Sequence, residues 1–200
     1  MITKDDPCET YQVRNKGEWA TICLRQWTRE STDGHPRHCG EIMIHSSFGS
    51  WANSWGHCGT PFKSFLASLE FGYLFGKLMG TDLRKFDGEG SVKAIKQLIL
   101  ECRRGKRYCH VSKDEAREAW DAVENSSSEA ESSLDAFVRV LRDVYDERIG
   151  DGLREQFEEP WNHSVDKDNP QAVGFWEHTW PELKALLEKE ALEEKAAQTS

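Results

Sequence analysis

Apolar and polar residues alternate through the first third of the chain and then recur at three- and four-residue intervals, so the pattern predicts strands followed by helices. Tyr11 and Val13 alternate with polar neighbours, Asn15-Lys16-Gly17 supplies a turn, and residues 19–27 carry the aromatic and β-branched alternation of a half-buried strand, with Ile22 and Leu24 on one face. This is a hairpin pattern. Residues 28–39 are polar and contain Asp33-Gly34 and Pro36, which marks a loop, and residues 41–46 resume a strand with Ile42 and Ile44 on a common face. A turn at Phe48-Gly49 leads to a fourth short strand over residues 50–55.

Thr60-Pro61 puts a capping hydroxyl before a proline at the first helical position, and Phe62, Phe65, Leu66, Leu69 and Tyr73 then predict one helix that covers a face of the sheet. Gly72, Gly76 and Gly80 each cost a helix interior about 1 kcal/mol against alanine, which close packing on the sheet would explain. Val92, Ile95, Leu98, Ile99 and Cys102 form the stripe of a second helix. Ser112 and Glu115 form a capping box ahead of Ala116, Ala119, Trp120 and Val123, and these two helices are expected to pair about a turn at 103–110. Ser126-Ser127-Ser128 interrupts the pattern before the amphipathic run Leu134, Phe137, Val138, Leu141, Tyr145. Asn169-Pro170 starts a helix through Phe175 and Trp176, and Trp180-Pro181 opens a last one along Leu183, Leu186 and Leu187, fraying from Glu193.

Two hundred residues with 38% hydrophobic content are enough for a core, although 30% charged residues would favour disorder if they were evenly spread. Eight Trp, nine Phe and four Tyr concentrate burial instead. The expected fold class is α+β: a small antiparallel sheet with a covering helix over residues 1–86, a mainly helical acidic region packed on it over 87–192, and a frayed tail at 193–200. No run of about 18 apolar residues exists to span a membrane, and the start MITKDDPCET is polar and acidic where a secretory signal is basic and then apolar. Six cysteines (Cys8, Cys23, Cys39, Cys58, Cys102, Cys109) are therefore expected as free thiols in a reducing cytoplasm. The net charge of −9 divides unevenly along the chain: 16 Lys and Arg against 12 Asp and Glu through His110, then 10 against 23.

The stretch IHSSFGSWANSWGHCGTPFKSFLASLEFGYLFGKL (residues 44–78), together with NPQAVGFWEHTWPELKALL, resembles accessory proteins of tailed bacteriophages and prophages. The resemblance implies a role in DNA metabolism, host takeover or counter-defence inside a bacterial host. It brings no catalytic residues with it.

Two regions carry candidate chemistry. The first is the aromatic and polar segment 45–58, where His45, Ser46, Ser47 and His57 lie among Trp51 and Trp55. Aromatic faces there can stack on a planar ligand, or Trp and Ser can simply be the inside and outside of a strand. The second is the dense basic cluster Arg103, Arg104, Lys106 and Arg107, which suits phosphates or an acidic partner surface, or else caps the negative end of a helix. His35, His38, Cys39, His57 and Cys58 include metal-binding side chains, but their spacing matches no zinc pattern, so no metal and no cofactor is expected. There is no Gly-x-Ser-x-Gly elbow, and the Asp87-Gly88-Glu89-Gly90-Ser91 turn lacks the lysine and length of a P-loop.

The expectation is a non-enzymatic accessory protein that binds a host protein or protein complex. Duplex DNA is a poor partner for a chain of this charge. The alternative is a protein that binds, sequesters or acts on a nucleotide-like small molecule through segment 45–58.

Overall fold

The computed structural model of the chain describes residues 8–30, 34–106, 109, 111–148, 153 and 157–198. In chain order its elements are β1 (Glu9–Asn15), β2 (Glu18–Arg29), β3 (Arg37–Ser46), β4 (Gly49–Trp55), α1 (Phe62–Ser68), α2 (Phe71–Met79), β5 (Arg84–Phe86), α3 (Gly88–Arg103), α4 (Lys113–Asn125), α5 (Ser127–Ala130), α6 (Leu134–Arg148), β6 (Asp166–Asp168), α7 (Pro170–His178) and α8 (Trp180–Gln198). The fold class is α+β, as the periodicities predict. No described helix is long and apolar enough to cross a membrane.

Contacts divide the chain into two units: unit 1 is residues 1–83 with 168–200, and unit 2 is residues 84–167. This corrects the expected division at residue 87. Helices α7 and α8 return to the sheet unit because Phe175, Trp180, Leu183 and Leu187 join its core and not that of the intervening helices. The return also evens out the charge: by sequence, unit 1 holds 11 basic against 16 acidic residues and unit 2 holds 15 against 19. The acidic second half of the chain is not an acidic region of the fold.

Unit 1 is built on an antiparallel meander in the order β1-β2-β3-β4. The first hairpin closes through Lys16 and Gly17, both at positive φ (50° and 93°), the conformation whose twist suits a two-residue loop. Period-two alternation then sorts the side chains. Tyr11, Ile22, Ile44 and Trp51 are register partners on the inner face, where Ala20, Leu24 and Ile42 are also buried against the helices. β2 and β3 reach further than expected, to Arg29 and from Arg37, so much of the segment read as a loop continues the hairpin ladder.

Residues 62–79 form two helices, not one. Leu69 and Glu70 adopt extended backbone, with ψ of 142° and 157°, which rotates the second segment. A continuous helix would put Tyr73 on the face of Phe62 and Leu66. The break instead buries Leu74 and Phe75 completely and leaves Tyr73 exposed, which keeps a phenol in water and moves two larger apolar surfaces out of it. Gly72 and Gly76 have open space where a Cβ would lie, so close packing does not account for them; Gly80, at φ 57°, terminates α2.

Unit 2 has its own core, in which the stripe of α3 (Val92, Ile95, Leu98, Ile99) meets Ala119 and Val123 of α4 and Phe137 and Leu141 of α6. The capping box at Ser112 and Glu115 forms, with Glu115 N donating to Ser112 Oγ and Ser112 N donating to Glu115 Oε2. The hydrogen bond from Ser112 N, with that of the Ser112 side chain, pulls the Glu115 carboxyl below its ordinary range.

Cys102 and Cys109 form a disulfide, which corrects the expectation of six thiols. The cause is local geometry. Gly105, at φ 65°, ends α3 with Gly105 N donating to Cys102 O and Lys106 N to Glu101 O, a reversal that brings the Cα atoms of Cys102 and Cys109 to 5.1 Å. Cys8, Cys23, Cys39 and Cys58 remain thiols. Alkylating the unfolded chain without reductant is expected to add four labels by intact mass, and six after reduction. Six labels in both conditions would remove the bridge.

Candidate functional site

Segment 45–58 is divided between the two faces of the sheet. Trp51 and Trp55 point inward from β4. Trp51 meets Phe75 and Phe175 edge-on at ring-centroid distances of 5.5 and 5.6 Å, and Trp55 lies 6.0 and 5.6 Å from Phe62 and Phe65. Gly40, opposite Trp55 on β3, admits the Phe62 ring where any Cβ would overlap it. These aromatic faces are used inside the core and offer no platform to a ligand.

The polar members of the segment lie elsewhere. His45 is exposed on the outer face, its Nδ1 2.8 Å from Ser50 Oγ and its ring at the edge of Trp19. Ser46 is buried and closes the β3–β4 turn by donating to Gly49 O, and Ser47 donates to Glu18. His57 follows β4 at the end remote from His45. Because His45 pairs with Ser50 and Gly40 with Trp55, the two histidines are separated by at least five register positions, roughly 17 Å. They do not converge.

The start of β3 and the loop after β4 do meet: Cys58 N donates to His38 O at 2.8 Å, and Cys39 Sγ lies 3.1 Å from Gly56 O. Burial, with Cys39 beside it, pushes the Cys58 thiol upward, so it is less readily a thiolate. Among the described residues, no group of three or more His, Cys, Asp or Glu side chains is placed to hold a metal ion.

In unit 2, Arg103, Arg104 and Lys106 are exposed at the C-terminal end of α3, where cations meet the negative end of the helix dipole, and the disulfide clamps the turn that carries them. Arg107 lies outside the described residues.

Sequence reasoning missed two clusters. In unit 1, the Lys63 side chain is 7% exposed and its Nζ lies 2.7, 2.9 and 3.0 Å from carboxylate oxygens of Glu9, Glu190 and Glu194, while Tyr11 Oη donates to Glu190 at 2.8 Å. Burial works against the ammonium, but its hydrogen bonds to three carboxylates outweigh it and hold Lys63 charged beyond the ordinary lysine range. Burial opposes the charge on Glu190 too, and the hydrogen bonds from Lys63 and Tyr11 overcome it and lower its pKa. The available signal was a single lysine between the buried Phe62 and Leu66, with two glutamates spaced four apart on α8.

The second cluster is the outer face of the sheet. Alternation along β1 to β4 points Arg14, Arg25, Arg29 and Arg37 outward with one carboxylate, Glu41. Trp19 and Met43 are each 37% exposed there. The guanidinium carbons of Arg25 and Arg29 lie 5.8 and 5.9 Å from the centroid of the Trp27 ring. The signal was Arg25-x-Trp27-x-Arg29 at strand period, hidden because residues 28–39 read as a loop.

A two-unit α+β chain with one open, arginine-bearing sheet face is the kind of protein the geometry defines. The chain matches the Phage_phiTE_072 family, a phage family, over residues 1–189, and it belongs to that family. No curated protein and no solved structure matches it.

Proposed function

We propose that this phage-family chain works by contact, binding a host macromolecule engaged in nucleic-acid processing or defence, with the outer face of the unit 1 sheet as its main contact surface. The observation that carries this is the outer face itself: exposed arginines and a tryptophan on a sheet whose other face carries the core. A broad exposed surface of this kind suits a macromolecule more than a small molecule, which needs convergent groups in a concavity. The nucleotide-like ligand alternative loses support where Trp51 and Trp55 pack inward and His45 stands apart from His57.

The basic turn of unit 2 serves the same reading as a second contact. Capture from bacterial host extract, by wild type and by two charge-reversed variants, tests it. Reversal of Arg25, Arg29 and Arg37 to glutamate is expected to abolish capture. Reversal of Arg103, Arg104, Lys106 and Arg107 is expected to weaken it, with melting nearly unchanged in both because the described members of each set are exposed. Equal capture by all three proteins would overturn the proposal.

A further inference from the structure

We infer that the outer sheet face of unit 1 binds single-stranded nucleic acid, with Arg25, Arg29 and Arg37 on phosphates and Trp19 and Trp27 stacked on bases. The inference rests on the contact reading above and names its occupant.

Charge complementarity is the first ground. Four arginines share this face with one carboxylate, whereas two carboxylates of α8, Glu190 and Glu194, gather at Lys63 among the helices packed on the sheet's inner side. Although the chain carries −9 overall, the outer face presents a local cationic surface to a polyanion.

The second ground is an arrangement that the fold alone does not favour. Arg29 and Arg37 are direct cross-strand partners, and like charges placed opposite each other destabilise a sheet. Arg25 and Arg29 both approach the same indole. The indole contacts are themselves favourable, so it is the Arg29–Arg37 pair that a row of phosphates beside Trp27 turns from repulsion into pairing.

The third ground selects a single strand. Trp19 and Trp27 stand eight residues apart on the same face of β2, roughly 27 Å, a length that accommodates about four or more nucleotides. Between them on β2 lie Thr21, Cys23 and Arg25, and across the sheet Thr10, Ser50 and Ala52 are small while Gln12, Met43 and His45 are larger, so a strand laid along the face meets short side chains with Arg25 among them. A duplex keeps its base faces stacked on one another and offers none to a tryptophan. An acidic protein would satisfy the arginines, but base stacking also uses Trp19.

Fluorescence anisotropy of the full chain with labelled dT15, rU15 and a 15-base-pair duplex tests the inference. Wild type is expected to bind one or both single strands more tightly than the duplex, with log K falling against log salt at a slope of about −2, as three phosphate contacts require. The triple variant R25A/R29A/R37A is expected to lose roughly tenfold or more in affinity and most of the slope. Trp19→Ala is expected to lose roughly fivefold or more with the slope retained, separating stacking from charge. Matching circular dichroism and melting curves establish that the variants are folded. The inference is overturned by absence of saturable binding to either oligomer, by preference for the duplex, or by affinities unchanged in both variants. If wild type ignores the oligomers while reversal of the same three arginines still abolishes host capture, the occupant is a protein: this inference fails and the contact reading stands.

Discussion

Replacing Trp55 by alanine is expected to cost about 3–5 kcal/mol of unit 1 stability, and replacing it by phenylalanine far less. The indole is 6% exposed and packed against the rings of Phe62 and Phe65, and Phe62 in turn occupies the space that Gly40 leaves by having no side chain. Removing it opens a cavity that these rings cannot collapse into without leaving their own contacts. Its Nε1 is buried with no hydrogen-bond partner, so the indole dipole contributes nothing that phenylalanine would lose. The pair of variants therefore separates packing from polarity, with urea unfolding followed by circular dichroism as the measurement. A stable Trp55→Ala protein would return this tryptophan to the surface and reopen segment 45–58 as a ligand platform.

The same residue shows what was readable in advance. Alternation places Trp51 and Trp55 on one face of a strand, and capping chemistry at Ser112 and at Asn169-Pro170 marks helix starts that the structure keeps, with Asn169 Oδ1 accepting from Gln171 N. These are local rules, satisfied within a few residues. What remained hidden depends on distant partners. Lys63 reads as an ordinary helix cation until Glu9 and α8, more than a hundred residues apart in sequence, meet around it. The break at Leu69–Glu70 is invisible to periodicity because the choice between burying Tyr73 and burying Phe75 is made by the surrounding core, where Phe75 meets Trp51 and Phe175. The disulfide followed from a left-handed Gly105, a backbone reversal that cysteine spacing alone does not announce. In the candidate site, the arginines of β2 and β3 needed the two strands to be extended before they could be seen to share a face.

Lys63→Met is expected to destabilise unit 1 by about 2–3 kcal/mol at neutral pH, with a pH dependence opposite in sign to that of wild type. Breaking a buried ion pair by removing one partner costs about 3–5 kcal/mol, and the lower figure applies here because Glu9 and Glu194 are 43% and 40% exposed and partly solvated. In wild type, Glu190 has its pKa held below the ordinary 4.5, so its contribution is complete above that value and is lost as the pH falls through the depressed one. Lys63 is raised above 10.5, so its contribution is complete below that value and is lost only as the pH climbs beyond it. Between these limits the wild-type latch is constant, and acid weakens it. In the variant, Glu190 faces two further carboxylates without a cation, so its charged form loses the support that held its pKa down, and protonation relieves the repulsion. The variant should therefore gain stability as the pH falls towards 4.5 while wild type begins to lose it, so that the two urea midpoints converge. Parallel midpoints across that range would mean that Lys63 stabilises the unit through its aliphatic stem alone, and that the three glutamates do not act as its counter-charges.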